Sequence, residues 1–90
     1  MKPYRITSEF NAITLPAGLR QRHATKAGVW AVIRILEGTA TLVYVDTGEV
    51  RHLTPCEPGL IKPEQTHYLK LSGLVRLKLE FYDSDPVHSL

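Results

Sequence analysis

Turn-forming residues cut this chain into pieces too short for anything but strands. "PAG" at 16–18, "KAG" at 26–28, "EG" at 37–38, "DTG" at 46–48, "PCEPG" at 55–59, "KPEQ" at 62–65 and "SG" at 72–73 punctuate it. The runs between them are rich in Val, Ile, Leu, Thr and Tyr, as in "VWAVIRIL" (29–36) and "TATLVYV" (39–45). In "LVRLKLEFY" (74–82), Val75, Leu77, Leu79 and Phe81 alternate with Arg76, Lys78, Glu80 and Tyr82. Period-two alternation between closely spaced turns predicts an antiparallel sandwich or barrel of about eight or nine short strands. The expected domain is the whole of 1–90, with its core over about 10–82 and a polar, fraying tail at 83–90.

Two connections read as hairpins: Glu37-Gly38 joins "VWAVIRIL" to "TATLVYV", and Asp46-Thr47-Gly48 joins "TATLVYV" to "EVRHL" (49–53). Ser72-Gly73 joins "THYLKL" to the last strand. "AGLRQRHATKA" (17–27) has a composition that tolerates a helix. It reads as a strand, because Gly18 and Gly28 bracket it and it has no wide apolar stripe.

Composition narrows the function classes. Hydrophobic residues make up 43% of the 90, enough for one core. Eleven basic and nine acidic residues are spread evenly and leave a net charge of +2. Neither nucleic acid nor a membrane surface is expected as a partner. "MKPYRITSEF" lacks an apolar signal core, and no run approaches the ~20 residues of a membrane span. The single cysteine, Cys56, permits neither an internal disulfide nor a cysteine zinc cluster. A reducing cytoplasmic setting is the expectation.

One residue breaks the pattern. In "THYLKL" the alternation puts His67 on the same side as Leu69 and Leu71, which should face the core. His23 in "LRQRHATKAG" also reads as inward, through Leu19, Gln21 and His23. Two inward imidazoles point to one shared interior site, since neutral imidazole is the commonest metal donor. A lone inward histidine is more often a hydrogen-bonded core residue. A divalent site usually needs a third protein ligand. Glu64, three residues before His67, is the best candidate; Glu37 reads as a turn residue, and Glu80 as solvated or paired across strands. His52 and His88 read as solvated, and Cys56 has no activating neighbour. Lys26 would offer a positive charge to an anionic ligand if its loop covers the barrel mouth. Trp30 is placed opposite Val29, Ala31 and Ile33, under a loop or a partner subunit.

The order His, Lys-x-Gly-Val-Trp, x-Gly, Pro-Glu-x-x-His and an aromatic-rich last strand, from about Phe10 to Tyr82, resembles a known family. It is similar to the small cupin domain at the N-terminus of tellurite-resistance TehB proteins, which also occurs alone, as in YeaR-like proteins. The resemblance implies a cupin jelly-roll β-barrel with a metal or ligand pocket inside. It places His23 in the first cupin motif, Gly38 at that motif's close and His67 at the histidine of the second. Glu64 stands where the second motif has glycine. Lys26 and Trp30 fall near further ligand positions. The full set of cupin ligands is absent. The most that carries over is an altered two-histidine site, His23 and His67 with Glu64 as the third candidate, for a divalent ion (zinc, iron, nickel or manganese) or for no metal at all. In TehB a methyltransferase domain follows the cupin. These 90 residues contain no glycine-rich loop for a methyl donor, so methyl transfer is not expected of them.

Three function classes follow. The first is a metal- or small-ligand-binding module without catalysis, with a link to stress or tellurite response implied by the resemblance. The second is a metal-dependent oxygenase- or isomerase-type enzyme on a small molecule. The third is a protein-interaction module. No oriented base or nucleophile pair is visible, which favours the first. A homodimer is expected, with Tyr4, Ile6, Trp30 and Tyr82 covering exposed sheet edges.

Overall fold

A computed structural model describes residues 2–89, with side chains through Val87. The side chain of His88, read as solvated, lies outside the described residues. Eight strands are present among them: β1 (Arg5–Ile6), β2 (Phe10–Asn11), β3 (Trp30–Gly38), β4 (Ala40–Tyr44), β5 (Val50–Leu53), β6 (Gly59–Ile61), β7 (His67–Lys70) and β8 (Val75–Tyr82). The fold is all-β, and every strand pair is antiparallel.

The strands form two sheets. One has the order β1-β8-β3-β6, with β2 continuing the edge alongside β8; the other is β5-β4-β7. The inward residues of both make one core. Ala31, Ile33, Ile35, Leu77 and Leu79 from the larger sheet meet Leu42, Tyr44, Leu53 and Leu69 from the smaller. The alternation of β8 holds, since Val75, Leu77 and Leu79 are buried and Arg76 is exposed. Tyr44 pins the two sheets together by donating its hydroxyl to the Leu60 carbonyl at 2.5 Å.

Of the two expected hairpins, one forms and the other does not. β4 and β5 pair across Asp46–Glu49, and Gly48 (φ 74°) donates to the Tyr44 carbonyl at 2.9 Å. β3, however, pairs with β8 and β6, while β4 pairs with β5 and β7. Gly38 therefore turns the chain from one sheet into the other. A register shift between Ile35 and Glu37 bends β3 as it leaves. Gly38 has φ 81°, and a Cβ there would lie 2.1 Å from the Leu74 carbonyl oxygen. Only glycine fits both demands. Ser72-Gly73 is likewise a passage between sheets, from β7 to β8.

One further expectation is corrected. Residues 17–27 are not a strand: Ala17–Arg20 form a 3₁₀ turn, followed by a single antiparallel bridge at His23. The polar tail has one anchored point. Pro86 is fully buried at the start of a 3₁₀ turn over Pro86–Ser89, and the Val87 amide donates to Asp85 Oδ1. Proline suits that first position because its φ is already helical.

Candidate functional site

The bridge at His23 builds the site. His23 donates its amide to the His67 carbonyl at 3.1 Å, and His67 returns the bond at 2.9 Å. This lashes the segment 21–29 across the start of β7. The strap is held again at Thr25, whose carbonyl accepts the Glu64 amide at 3.2 Å. The Thr25 hydroxyl lies 2.8 Å from the Val29 carbonyl and 3.3 Å from that of Lys62. The paired backbones place the two imidazoles side by side, with ring centroids 4.2 Å apart and planes tilted by 57°.

Both rings line a cavity of about 320 Å³ between the sheets. Its wall is mainly apolar, from Ala31, Ile33, Ile61, Leu69, Leu79 and Phe81. His67 stands opposite Tyr44 in the β4–β7 register, where the smaller sheet begins to cover the core. That position explains its inward side chain. The strand's leucine face continues into the cavity wall, and His67 is its first residue.

The ring nitrogens have defined roles. His23 Nδ1 lies 2.9 Å from the Gln21 carbonyl, and His67 Nδ1 lies 2.7 Å from the Gln65 carbonyl. A carbonyl can only accept, so each Nδ1 carries a proton and donates it. Each neutral ring then has its lone pair on Nε2, available to an ion or a ligand donor. Burial holds the His67 pKa below its ordinary value of 6.5; the bond to Gln65 opposes this, and His23 alongside reinforces it.

The remaining sequence candidates separate. Lys26 lies on the strap and lines the cavity. Trp30 does not: it is on the face of β3 turned away from the core, opposite Tyr82 in the register. The reason is strand alternation, which sends Ala31 and Ile33 to the cavity and their neighbours outward. Glu64 is exposed and is not among the lining residues. What the structure uses there is its backbone, at φ 60°, in the turn closed by the Gln65 amide on the Lys62 carbonyl. Proline followed by a left-handed residue is the geometry that ordinarily selects glycine. No group of three His, Cys, Asp or Glu side chains suited to a metal forms among the described residues. Among the described residues, His23 and His67 are the only side chains of these four types that line the cavity.

Sequence reasoning missed Arg5. It lies on a two-residue edge strand, too short for periodicity to assign a face. Its register with Phe81 puts it on the cavity side, where it lines the wall.

The family model of the TehB-like domain matches residues 5–79. The chain belongs to the TehB-like domain family. Two solved structures have the same fold. TehB from Haemophilus influenzae superposes with a TM-score of 0.77 at 22% identity, covering 88% of this chain and 30% of that protein. This TehB-like domain thus spans less than a third of that protein's length. A protein of Escherichia coli strain K12 superposes with a TM-score of 0.75 at 20% identity, covering 92% of this chain and 91% of the other. No curated protein matches the sequence. Among the described residues no helix is long and apolar enough to cross a membrane.

Proposed function

We propose that this TehB-like domain is a cupin-type jelly roll that binds a small molecule in the cavity between its sheets. His23 and His67 are its polar contacts, and the domain has no catalysis of its own. The observation that carries this is the pair of carbonyl-anchored imidazoles on a mainly apolar wall. A few placed polar groups in an apolar hollow of ~300 Å³ or more is the form of a ligand pocket. Titration of small organic molecules, followed by NMR of the imidazole C–H signals, tests it. Shifts at both rings, lost on His67→Ala, are expected. A pocket that perturbs neither ring with any molecule tried would overturn it.

A second reading has its own support. Imidazoles that donate Nδ1–H to carbonyls and keep Nε2 free are oriented as metal-bound histidines usually are. A divalent ion on His23 and His67, completed by water or the ligand, would supply Lewis acidity and a link to enzyme chemistry. Elemental analysis of the purified protein decides between the two. Stoichiometric metal that disappears in His23→Ala/His67→Ala supports the ion, and its absence leaves the organic ligand.

A further inference from the structure

We propose that the ligand of this cavity is an organic monoanion with an apolar body, its charged head held at the rim by Arg5 and Lys26. The inference rests on the reading of the cavity as a binding site and goes on to name what it takes.

Three observations converge. First, among the described residues no Asp or Glu lines the cavity, while Arg5 and Lys26 both do. Histidines aside, these lining residues therefore carry two positive charges and no negative one. Second, among the described residues neither cation is committed elsewhere. The ion pairs there belong to Arg34, Arg51 and Arg76, and no hydrogen bond within the described residues engages the Lys26 or Arg5 side chain. This contrasts with Arg76, which is held by both Glu9 and Glu37. Third, the hollow continues past Arg5. A second cavity, along β8 and the 3₁₀ turn of 17–20, shares Arg5, Leu19, His23, Leu79 and Phe81 with the first and likewise has no acid on its wall.

The shape sets the body of the ligand. A volume of about 320 Å³ equals roughly ten waters at their share of the liquid, ~30 Å³ each. That suits on the order of ten non-hydrogen atoms, mostly carbon against such a wall. The charge sets the head. Cations around a low-dielectric hollow raise the local concentration of anions and repel cations. A carboxylate matches the planar fork of arginine, with lysine as a second point charge. The imidazole Nε2 atoms remain to accept a bond from any donor on the body.

Isothermal titration with three ligands of one body and three heads tests this: octanoate, octanol and octylammonium, at pH 7.5. Octanoate is expected to bind about tenfold tighter than octanol, the low end of what one hydrogen bond to a charged group gives. Octylammonium is expected to bind weakest. Arg5→Gln/Lys26→Gln should bring octanoate down to the level of octanol and leave octanol unchanged. Lys70→Gln/Lys78→Gln removes the same charge away from the cavity and should keep the preference. Both pairs are at exposed or half-exposed positions, and thermal melts confirm that the variants fold. Equal binding of octanoate and octanol overturns the inference while the cavity reading stands, as does a preference for octylammonium. A preference that survives Arg5→Gln/Lys26→Gln, or falls equally in the control pair, overturns the role of these two residues. Binding of none of the three overturns both the inference and the cavity reading.

Discussion

At the residue scale, Glu64 shows that a residue singled out for its side chain can also be used through its backbone. An acid three residues before an inward histidine looks like a ligand. Its contribution here is a left-handed backbone and an amide bonded to Thr25. A non-glycine residue in that region costs ~1–2 kcal/mol, partly offset by the chain entropy that glycine would lose on folding. Glu64→Gly should therefore leave stability unchanged or raise it by up to about 1 kcal/mol in urea melts. A loss of stability would show that the carboxylate has a partner of its own. Gly38 is the converse. Gly38→Ala adds a Cβ 2.1 Å from a backbone oxygen at φ 81° and should cost at least ~2 kcal/mol. Gly73→Ala, at φ 94° with open space around it, should cost about half as much. His67 makes a pH prediction. Its folded pKa lies below the unfolded 6.5, so the unfolded chain binds the extra proton first as pH falls. Its contribution is complete above about 6.5 and is lost as pH drops below that value toward the folded pKa. Urea midpoints should therefore fall from pH 7.5 to pH 5, and His67→Gln should flatten the decline. His67 was legible in sequence because the alternation of its strand gives a face, whereas His23 reaches the cavity through a single bridge to His67 and not through the strand read over 17–27. Arg5, and the backbone use of Glu64, were not legible, because a two-residue strand has no period and a backbone dihedral leaves no mark on side-chain chemistry.

At the element scale, the strands were legible and their pairing was not. A glycine turn between two apolar runs reads as a hairpin whether the runs pair or face each other across the core. The turn residues answer to φ, and both connections need positive φ at Gly38 and Gly73. Which partner a strand takes depends on what its faces must cover. β3 illustrates this, because both of its faces are covered. Ala31, Ile33 and Ile35 are in the core, while Val32 on the other face is 1% exposed beside Glu80. That second face also holds a charged cluster, in which Arg34 Nε and the Tyr82 hydroxyl both lie 3.0 Å from Glu80 Oε1. The sequence reading allowed Glu80 a cross-strand partner and did not foresee its burial. Burial, and then the bond to Glu80, raise the Tyr82 pKa above its ordinary value. Arg34→Met leaves the carboxylate with the phenol alone and should cost ~1–2 kcal/mol, since Arg34 remains a third exposed. Arg34→Met/Glu80→Leu should cost less than the sum of the single changes, because no unpaired charge is left behind. Additive losses in denaturant melts would show that the three residues do not act as one network.

At the scale of the whole molecule, the two faces of the larger sheet have different tasks. The inner face makes the core and the cavity, with Arg5 brought to it by register with Phe81. The next residue, Ile6, is in register with Glu80 and so belongs to the outer face, where it is 52% exposed. Trp30 lies half-buried on that face, while Tyr82 is already covered within the chain and has nothing left to offer a partner. Of the residues assigned from sequence to a dimer contact, Ile6, Tyr4 and Trp30 retain accessible apolar surface. β1 is also a sheet edge with unpaired backbone groups, which proteins commonly protect by covering. We therefore predict self-association through the β1 edge, burying Ile6 and leaving the Arg5 face to the ligand. Light scattering should give particles of about 20 kDa, twice the 10.1 kDa chain. Ile6→Lys should give particles of about 10 kDa, because a lysine facing its own copy across a two-fold axis places like charges together. Octanoate affinity should be the same in both, since adjacent residues of a strand point to opposite faces. A wild type that stays at 10.1 kDa at millimolar concentration would end the dimer reading, and an Ile6→Lys variant that dimerises normally would move the interface elsewhere. Weakened octanoate binding in a monomeric Ile6→Lys protein would mean instead that the second copy helps to close the cavity rim at Arg5.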